Sequence, residues 1–145
     1  MLDPIQVELN NGLKLYSIPP PGSGIILAYI LNIMENYNVS KTDATDPLMY
    51  HRLVESFKYG YAYRSQLGDP SDSNITRLVN QLVEKLTSEE EALATYRKIN
   101  DSQTVNDPKY YGGDFQLKDD HGTSHTSVLA PNGDAVAVTS TVNLQ

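Results

Sequence analysis

The chain has 145 residues, 39% of them hydrophobic, which is enough in principle for one domain with a buried core. Its formal net charge of -7 and pI near 4.8 provide no basic footprint for nucleic acid or anionic lipid, so small solutes are the natural ligands. There is no cysteine, which excludes disulfides, a cysteine nucleophile and thiolate metal sites within this stretch.

Near the start, Ile5 to Leu9 and Leu13 to Tyr16 read as short strands joined by a turn at Asn10-Asn11-Gly12. The stiff Pro19-Pro20-Pro21 and flexible Gly22-Ser23-Gly24 then lead into an apolar helix over Ile25 to Met34, with Ser23 placed to cap it. That glycine-rich entry lacks the spacing of a phosphate-binding fingerprint. The helix is apolar on nearly every side, as for an element sandwiched between layers. Its run is interrupted by Asn32 and is too short to span a bilayer, and no signal peptide is present in the sequence.

A polar linker, Asn36 to Thr45, precedes a second helix capped by Asp46, with Pro47 at its first position. Tyr50, Leu53, Val54, Phe57 and Tyr61 are its expected buried stripe, Gly68 with Asp69-Pro70 its end, and Arg64 and Asp69 a candidate ion pair there. His51 is assigned no chemistry. A third helix opens at Asp72 or Ser73 and carries Ile75, Leu78, Val79, Leu82, Val83 and Leu86 as core. Ser88 and Glu91 form a capping box for a short fourth helix closed by Arg97 and Lys98.

Asn100 to Asp120 lacks periodicity and is expected to be an irregular, mobile connection. Asp119, Asp120, His121 and His125 do not make a metal site, because hairpin alternation splays them and nothing sets a tetrahedral geometry. Asn38, Asn74 and Asn100 open Asn-X-Ser/Thr triplets, which are glycosylation acceptors if the chain enters the secretory pathway.

The last quarter reads as a hairpin. A two-residue Asn132-Gly133 loop would require a ladder hydrogen bond from Pro131, which has no N–H. A three-residue loop instead puts Pro131 in a type I turn and Gly133 in the left-handed position. Ala130 then faces Asp134, and counting outward sets Thr123 opposite Thr141, with Asn143 on the same face. That face also carries His125, Ala135, Ala137 and Thr139; the other carries Val128, Val136, Val138 and Val142. Pattern alone favours an ordinary hairpin, since threonine is a good strand former and serves there with no chemical role.

Gly122-Thr123-Ser124-His125 and Thr139-Ser140-Thr141-Val142-Asn143 together resemble the maturation site of γ-glutamyltransferases (glutathione hydrolases). Pro19-Pro20-Pro21-Gly22-Ser23-Gly24, Tyr50-His51-Arg52-Leu53-Val54-Glu55-Ser56-Phe57, Tyr61-Ala62-Tyr63-Arg64 and Leu67-Gly68-Asp69-Pro70 resemble further landmarks of that family in the same order. The resemblance implies an α+β chain, an incomplete part of the four-layer αββα fold of N-terminal nucleophile hydrolases. Residues 1–122 would be the C-terminal part of the large subunit and 123–145 the start of the small, catalytic subunit.

By the same resemblance, the precursor cleaves itself between Gly122 and Thr123. Thr123 is then the nucleophile, Thr141 its hydrogen-bonding support, and Asn143 a contact for the glutamyl α-amino end of the substrate. Glutathione and other γ-glutamyl compounds are the implied donors; water and amino acids or dipeptides are the acceptors, with no metal or other cofactor. The family's carboxylate-binding arginine would lie upstream of Met1, and its paired serines and oxyanion glycines downstream of Gln145, so Gly112-Gly113 is not that glycine pair. The expected location is the extracellular face of the plasma membrane or the secreted state, with any anchor or signal outside this stretch. The chain alone is expected to be unstable or aggregation-prone, because its strands lack partners. A noncatalytic binding or scaffold segment, with Thr123 uncleaved, is the alternative.

Overall fold

The computed structural model describes residues 3–10, 12–37, 39–40, 44–69, 71–113 and 122–141. The polypeptide is mixed α and β and divides into two compact units, residues 1–115 and 116–145. In the first, β1 (Ile5–Glu8) and β2 (Lys14–Ser17) pair antiparallel, with Ile5 opposite Ser17 and Glu8 opposite Lys14. Gly12 closes the turn with a φ of 78°, a conformation open to glycine at little cost.

Helix α1 (Gly24–Glu35) is the hub of this unit, packing against β1, β2, α2 (Pro47–Arg64), α3 (Thr76–Leu86) and α4 (Glu89–Tyr96). Its all-round apolar surface is explained by that position: Ile25, Ala28, Tyr29 and Ile33 have no exposed surface. The Tyr29 hydroxyl bonds Thr95 Oγ1 at 2.5 Å inside the core, and burial holds its pKa well above the ordinary tyrosine range. The expected Ser23 side-chain cap does not form; the Ser23 carbonyl takes the amides of Ile26 and Leu27 instead. Gly24 is required by space, since a Cβ there would stand 2.1 Å from the Ile18 carbonyl oxygen.

Helix α2 begins as expected, with Leu48 N donating to Asp46 Oδ1 at 2.9 Å and Pro47 in the first turn. Its buried face differs from the expected stripe. Tyr50, Val54, Phe57 and Tyr61 are exposed and Leu53 is half-buried, whereas Glu55, Ser56, Tyr59, Gly60 and Ala62 are buried. The reason is the approach of α1: a Cβ at Gly60 would lie 2.9 Å from Ile30 Cδ1, so small residues, not the bulkiest ones, face that helix. The helix ends at Arg64, before Gly68. Arg64 sits over the Tyr61 ring and Asp69 accepts from Ser71 N, so the expected Arg64–Asp69 pair is not among the ion pairs of the described residues.

Helix α3 starts at Thr76, later than expected, because Asp72 is used in a turn that accepts from Asn74 N at 2.9 Å. Val79, Leu82 and Leu86 are its core, Val83 is half-buried, and Leu78 is exposed. Helix α4 has the expected cap, Glu91 N donating to Ser88 Oγ at 3.3 Å. The reciprocal half of the capping box is replaced, since the Glu91 carboxylate accepts from the Tyr63 hydroxyl.

Residues 100–113 are irregular but are not a loose connection. Arg52 grips Asp101 through Nε and Nη2 at 2.9 and 2.6 Å, and His51 Nε2 meets the Asn100 carbonyl at 2.9 Å. The buried Glu55 carboxylate accepts from Thr104 Oγ1 at 2.6 Å, the Tyr111 hydroxyl at 2.8 Å and Lys58 Nζ at 3.0 Å. Lys58 also reaches Thr104, the Val105 carbonyl and the Tyr111 hydroxyl. A 3₁₀ turn, Pro108–Tyr111, then ends on Gly112 at a φ of 90°.

Candidate active site

The second unit contains β3 (Thr123–Leu129) and β4 (Ala135–Thr141), an antiparallel hairpin. Its loop has three residues: Gly133 N donates to the Ala130 carbonyl at 2.9 Å, Ala130 N donates to the Asp134 carbonyl at 2.8 Å, and Gly133 has a φ of 91°. The register therefore pairs Thr123 with Thr141, His125 with Thr139 and Ser127 with Ala137.

At the open end of the ladder three groups meet. Thr123 Oγ1 donates to Thr141 Oγ1 at 3.0 Å, and Thr141 Oγ1 donates to the Gly122 carbonyl oxygen at 3.3 Å. The second bond does not follow from side-chain pairing alone. It arises because Thr141 faces the first strand residue, so its hydroxyl also spans the preceding peptide; a threonine opposite a strand's opening residue is the signal. Gly122 takes a φ of 91°, and a Cβ there would meet nothing within 4 Å, so its backbone conformation rather than crowding favours glycine. His125 sits on the same face, with Nδ1 at 2.7 Å from Thr139 Oγ1 and Nε2 at 3.0 Å from Ser127 Oγ. Both ring nitrogens are thereby engaged within the hairpin.

Asn143 and Val142 lie outside the described residues, as do Asp119, Asp120 and His121. Of the glycosylation triplets, Asn38 lies outside them too; Asn74 and Asn100 are exposed, with Asn74 Nδ2 on Asp72 and Asn100 Oδ1 accepting from Ser102. Every residue of β3 and β4 is exposed, including Val128, Val136 and Val138. No helix among the described residues is long and apolar enough to cross a membrane.

A sequence profile described as Gamma-glutamyltranspeptidase matches residues 1–145. The chain belongs to the gamma-glutamyltranspeptidase family. Among curated members, Scoloptoxin SSD14 of Scolopendra dehaani is 43% identical over 140 residues, 94% of this chain and 23% of that protein. Glutathione hydrolase 2 of Arabidopsis thaliana is 40% identical over 97% of this chain and 24% of its own, and the Glutathione hydrolase 5 proenzyme of Rattus norvegicus 36% identical over 99% and 25%. This gamma-glutamyltranspeptidase chain thus spans about a quarter of the length of those relatives. Two solved transpeptidase structures share its fold in part. That of Helicobacter pylori aligns with a TM-score of 0.62 at 27% identity, over 72% of this chain and 28% of that one. That of Pseudomonas nitroreducens, complexed with L-DON, aligns at 0.61 and 23% identity over 77% and 32%, a likeness of fold.

Proposed function

We propose that this chain carries the catalytic threonine of a γ-glutamyltransferase and glutathione hydrolase, and that Thr123 becomes an N-terminal nucleophile by self-cleavage after Gly122. The reading rests above all on the hydroxyl chain from Thr123 to Thr141 to the Gly122 carbonyl, at 3.0 and 3.3 Å. In the uncleaved chain the Thr123 oxygen attacks the Gly122 carbonyl carbon and passes its proton to Thr141. Thr141 gives its own proton to the developing oxyanion, lowering its charge in the transition state. On collapse the new hydroxyl gives its proton to the nitrogen as the carbonyl re-forms as an ester, the Gly122–Thr123 C–N bond breaks and the nitrogen leaves as an amine, and water hydrolyses the ester to free the Thr123 hydroxyl and a Gly122 carboxylate.

The new α-amine, whose reference pKa is about 8, then serves as the base for that hydroxyl. Thr123 takes the γ-glutamyl group from glutathione, releases cysteinylglycine, and passes the ester to water or to an amino-acid or dipeptide acceptor. Asn143 contacts the glutamyl α-amino end. Residues 1–122 belong in this reading to the large subunit and 123–145 to the small one, within a four-layer αββα arrangement. Location at the extracellular face of the plasma membrane, or secretion, belongs to the same proposal; the exposure of Asn74 and Asn100 suits glycosylation there.

The test uses a protein of the relatives' full length that contains this sequence. Mass spectrometry is expected to find a chain beginning at Thr123, with glutathione hydrolysis in the cleaved form. An intact single chain that hydrolyses glutathione overturns the reading, and an uncleaved, inactive protein favours the noncatalytic alternative.

A further inference from the structure

His125 lies on the face of the hairpin that carries Thr123 and Thr141, yet the steps written for those two threonines make no use of it. The bond from Ala130 N to the Asp134 carbonyl makes those two residues a hydrogen-bonded pair. Alternation along the ladder puts Ser124 with Ser140 in the same class, flanked by two non-bonded pairs, His125 with Thr139 and Thr123 with Thr141. In a non-bonded pair the backbones exchange no hydrogen bond and the side chains approach most closely. Thr123 with Thr141 is the outermost pair of the described residues, beyond the bonded pair at Ser124, where a two-stranded ribbon frays most readily.

Side chains brace that end. His125 Nδ1 is 2.7 Å from Thr139 Oγ1 on β4, and Nε2 is 3.0 Å from Ser127 Oγ on β3. Ser127 faces Ala137, which has no polar side chain, so its hydroxyl turns along the strand to the ring. A neutral imidazole has one donor and one acceptor nitrogen, and a hydroxyl serves as either, so both bonds form in either tautomer. Held at both nitrogens, the ring ties β4 to β3 one pair inside the reacting threonines. Because those nitrogens are spent on Thr139 and Ser127, the ring is placed as a brace rather than as the base for Thr123. A metal role has no support, since no group of three or more acidic, histidine or cysteine side chains gathers among the described residues.

We propose that His125 is a positioning residue for the reaction at Gly122 and Thr123: by fixing Thr139 it keeps Thr141 within reach of both Thr123 Oγ1 and the Gly122 carbonyl. This role rests on the proposed self-cleavage and deepens it.

The experiment makes a protein of the relatives' full length by cell-free synthesis and follows the first-order rate and the final extent of cleavage after Gly122 on a gel. His125→Leu, which keeps bulk without a polar atom, is expected to slow cleavage about three- to tenfold while cleavage still reaches completion. Thr139→Val should slow it to a similar degree from the other strand. The double variant should be no slower than the slower single one, because both remove the same bond. His125→Asn sets an amide near the place of Nδ1 and should restore most of the rate; His125→Gln, whose amide falls near Nε2, should restore less. In the cleaved enzyme His125→Leu should lower kcat for a chromogenic γ-glutamyl anilide and leave KM unchanged. Failure of the unmodified protein to cleave overturns the self-cleavage reading and this role with it. Where the unmodified protein cleaves, a normal rate in His125→Leu, additive losses in the double variant, or a His125→Asn rate no better than that of His125→Leu overturns the role alone. A reduced extent at an unchanged rate, the mark of a folding defect, also overturns it.

Discussion

Thr141 touches two groups of the proposed reaction centre, the hydroxyl of Thr123 and the carbonyl of Gly122, and this double contact separates its role from that of Thr123. Thr123→Ala is expected to abolish both self-cleavage and transfer in the full-length protein, because the covalent route needs that oxygen. Thr141→Val should slow both without abolishing either, by about 1 to 3 kcal/mol or roughly tenfold to a hundredfold, while Thr141→Ser keeps the hydroxyl and most of the rate. Cleavage followed on a gel and release of a chromogenic anilide check the three variants. A Thr141→Val enzyme that cleaves at the normal rate would show that the bond to the Gly122 carbonyl is idle. The pairing of Thr123 with Thr141 was legible in the sequence, because proline chemistry in the loop sets the register residues away. The bond to the Gly122 carbonyl was not, since it depends on a hydroxyl reaching past its cross-strand partner.

At the scale of elements, α2 acts as a clamp on residues 100–113. The clamp centres on Glu55, which is 3% exposed. Burial by itself would raise its pKa, but the bonds from Thr104, Tyr111 and Lys58 together outweigh burial and hold it below the ordinary glutamate value of 4.5. A lowered folded-state pKa contributes stability that is fully present above the unfolded value and is lost as pH falls through the folded one. Unfolding of the chain in urea is therefore expected to show stability steady above pH 4.5 and falling below it, and Glu55→Gln should flatten that acid limb. Tyr111→Phe, which strips one donor from a buried carboxylate, should cost about 1 to 3 kcal/mol in the same measurement. Gly24→Ala presses a methyl into the Ile18 carbonyl and should cost about 1 to 3 kcal/mol by the same reading.

For the whole molecule, the two units present different problems. Residues 1–115 bury a core around α1, whereas the hairpin leaves Val128, Val136 and Val138 each more than half exposed on one face. A two-stranded ribbon is marginal in water, and an uncovered valine face with free edges favours association. The 145-residue chain by itself is expected to self-associate in sedimentation, and Val136→Lys/Val138→Lys to reduce that association. By itself it should also show no γ-glutamyl transfer in an anilide assay, since it spans only about a quarter of its relatives' length. Turnover at the rate of a full-length relative would contradict this.

Several elements were determined locally, by signals that need no tertiary partner: the Asp46-Pro47 start of α2, the Ser88 cap of α4, the turn at Gly12 and the Pro131-Asn132-Gly133 loop. Each depends on a hydrogen bond or a φ angle within a few residues. The faces of the helices did not follow the same way. Hydrophobic spacing selects the largest apolar side chains of α2, but contact with α1 is decided by closest approach, which favours Ser56 and Gly60 and turns Phe57 and Tyr61 outward. The anchoring of residues 100–113 was equally hidden, because Asp101, Thr104 and Tyr111 find their partners on α2, about fifty residues away in sequence. Local chemistry decided where elements begin and turn; only three-dimensional packing decided which side chains are buried and where each lone polar group finds its partner.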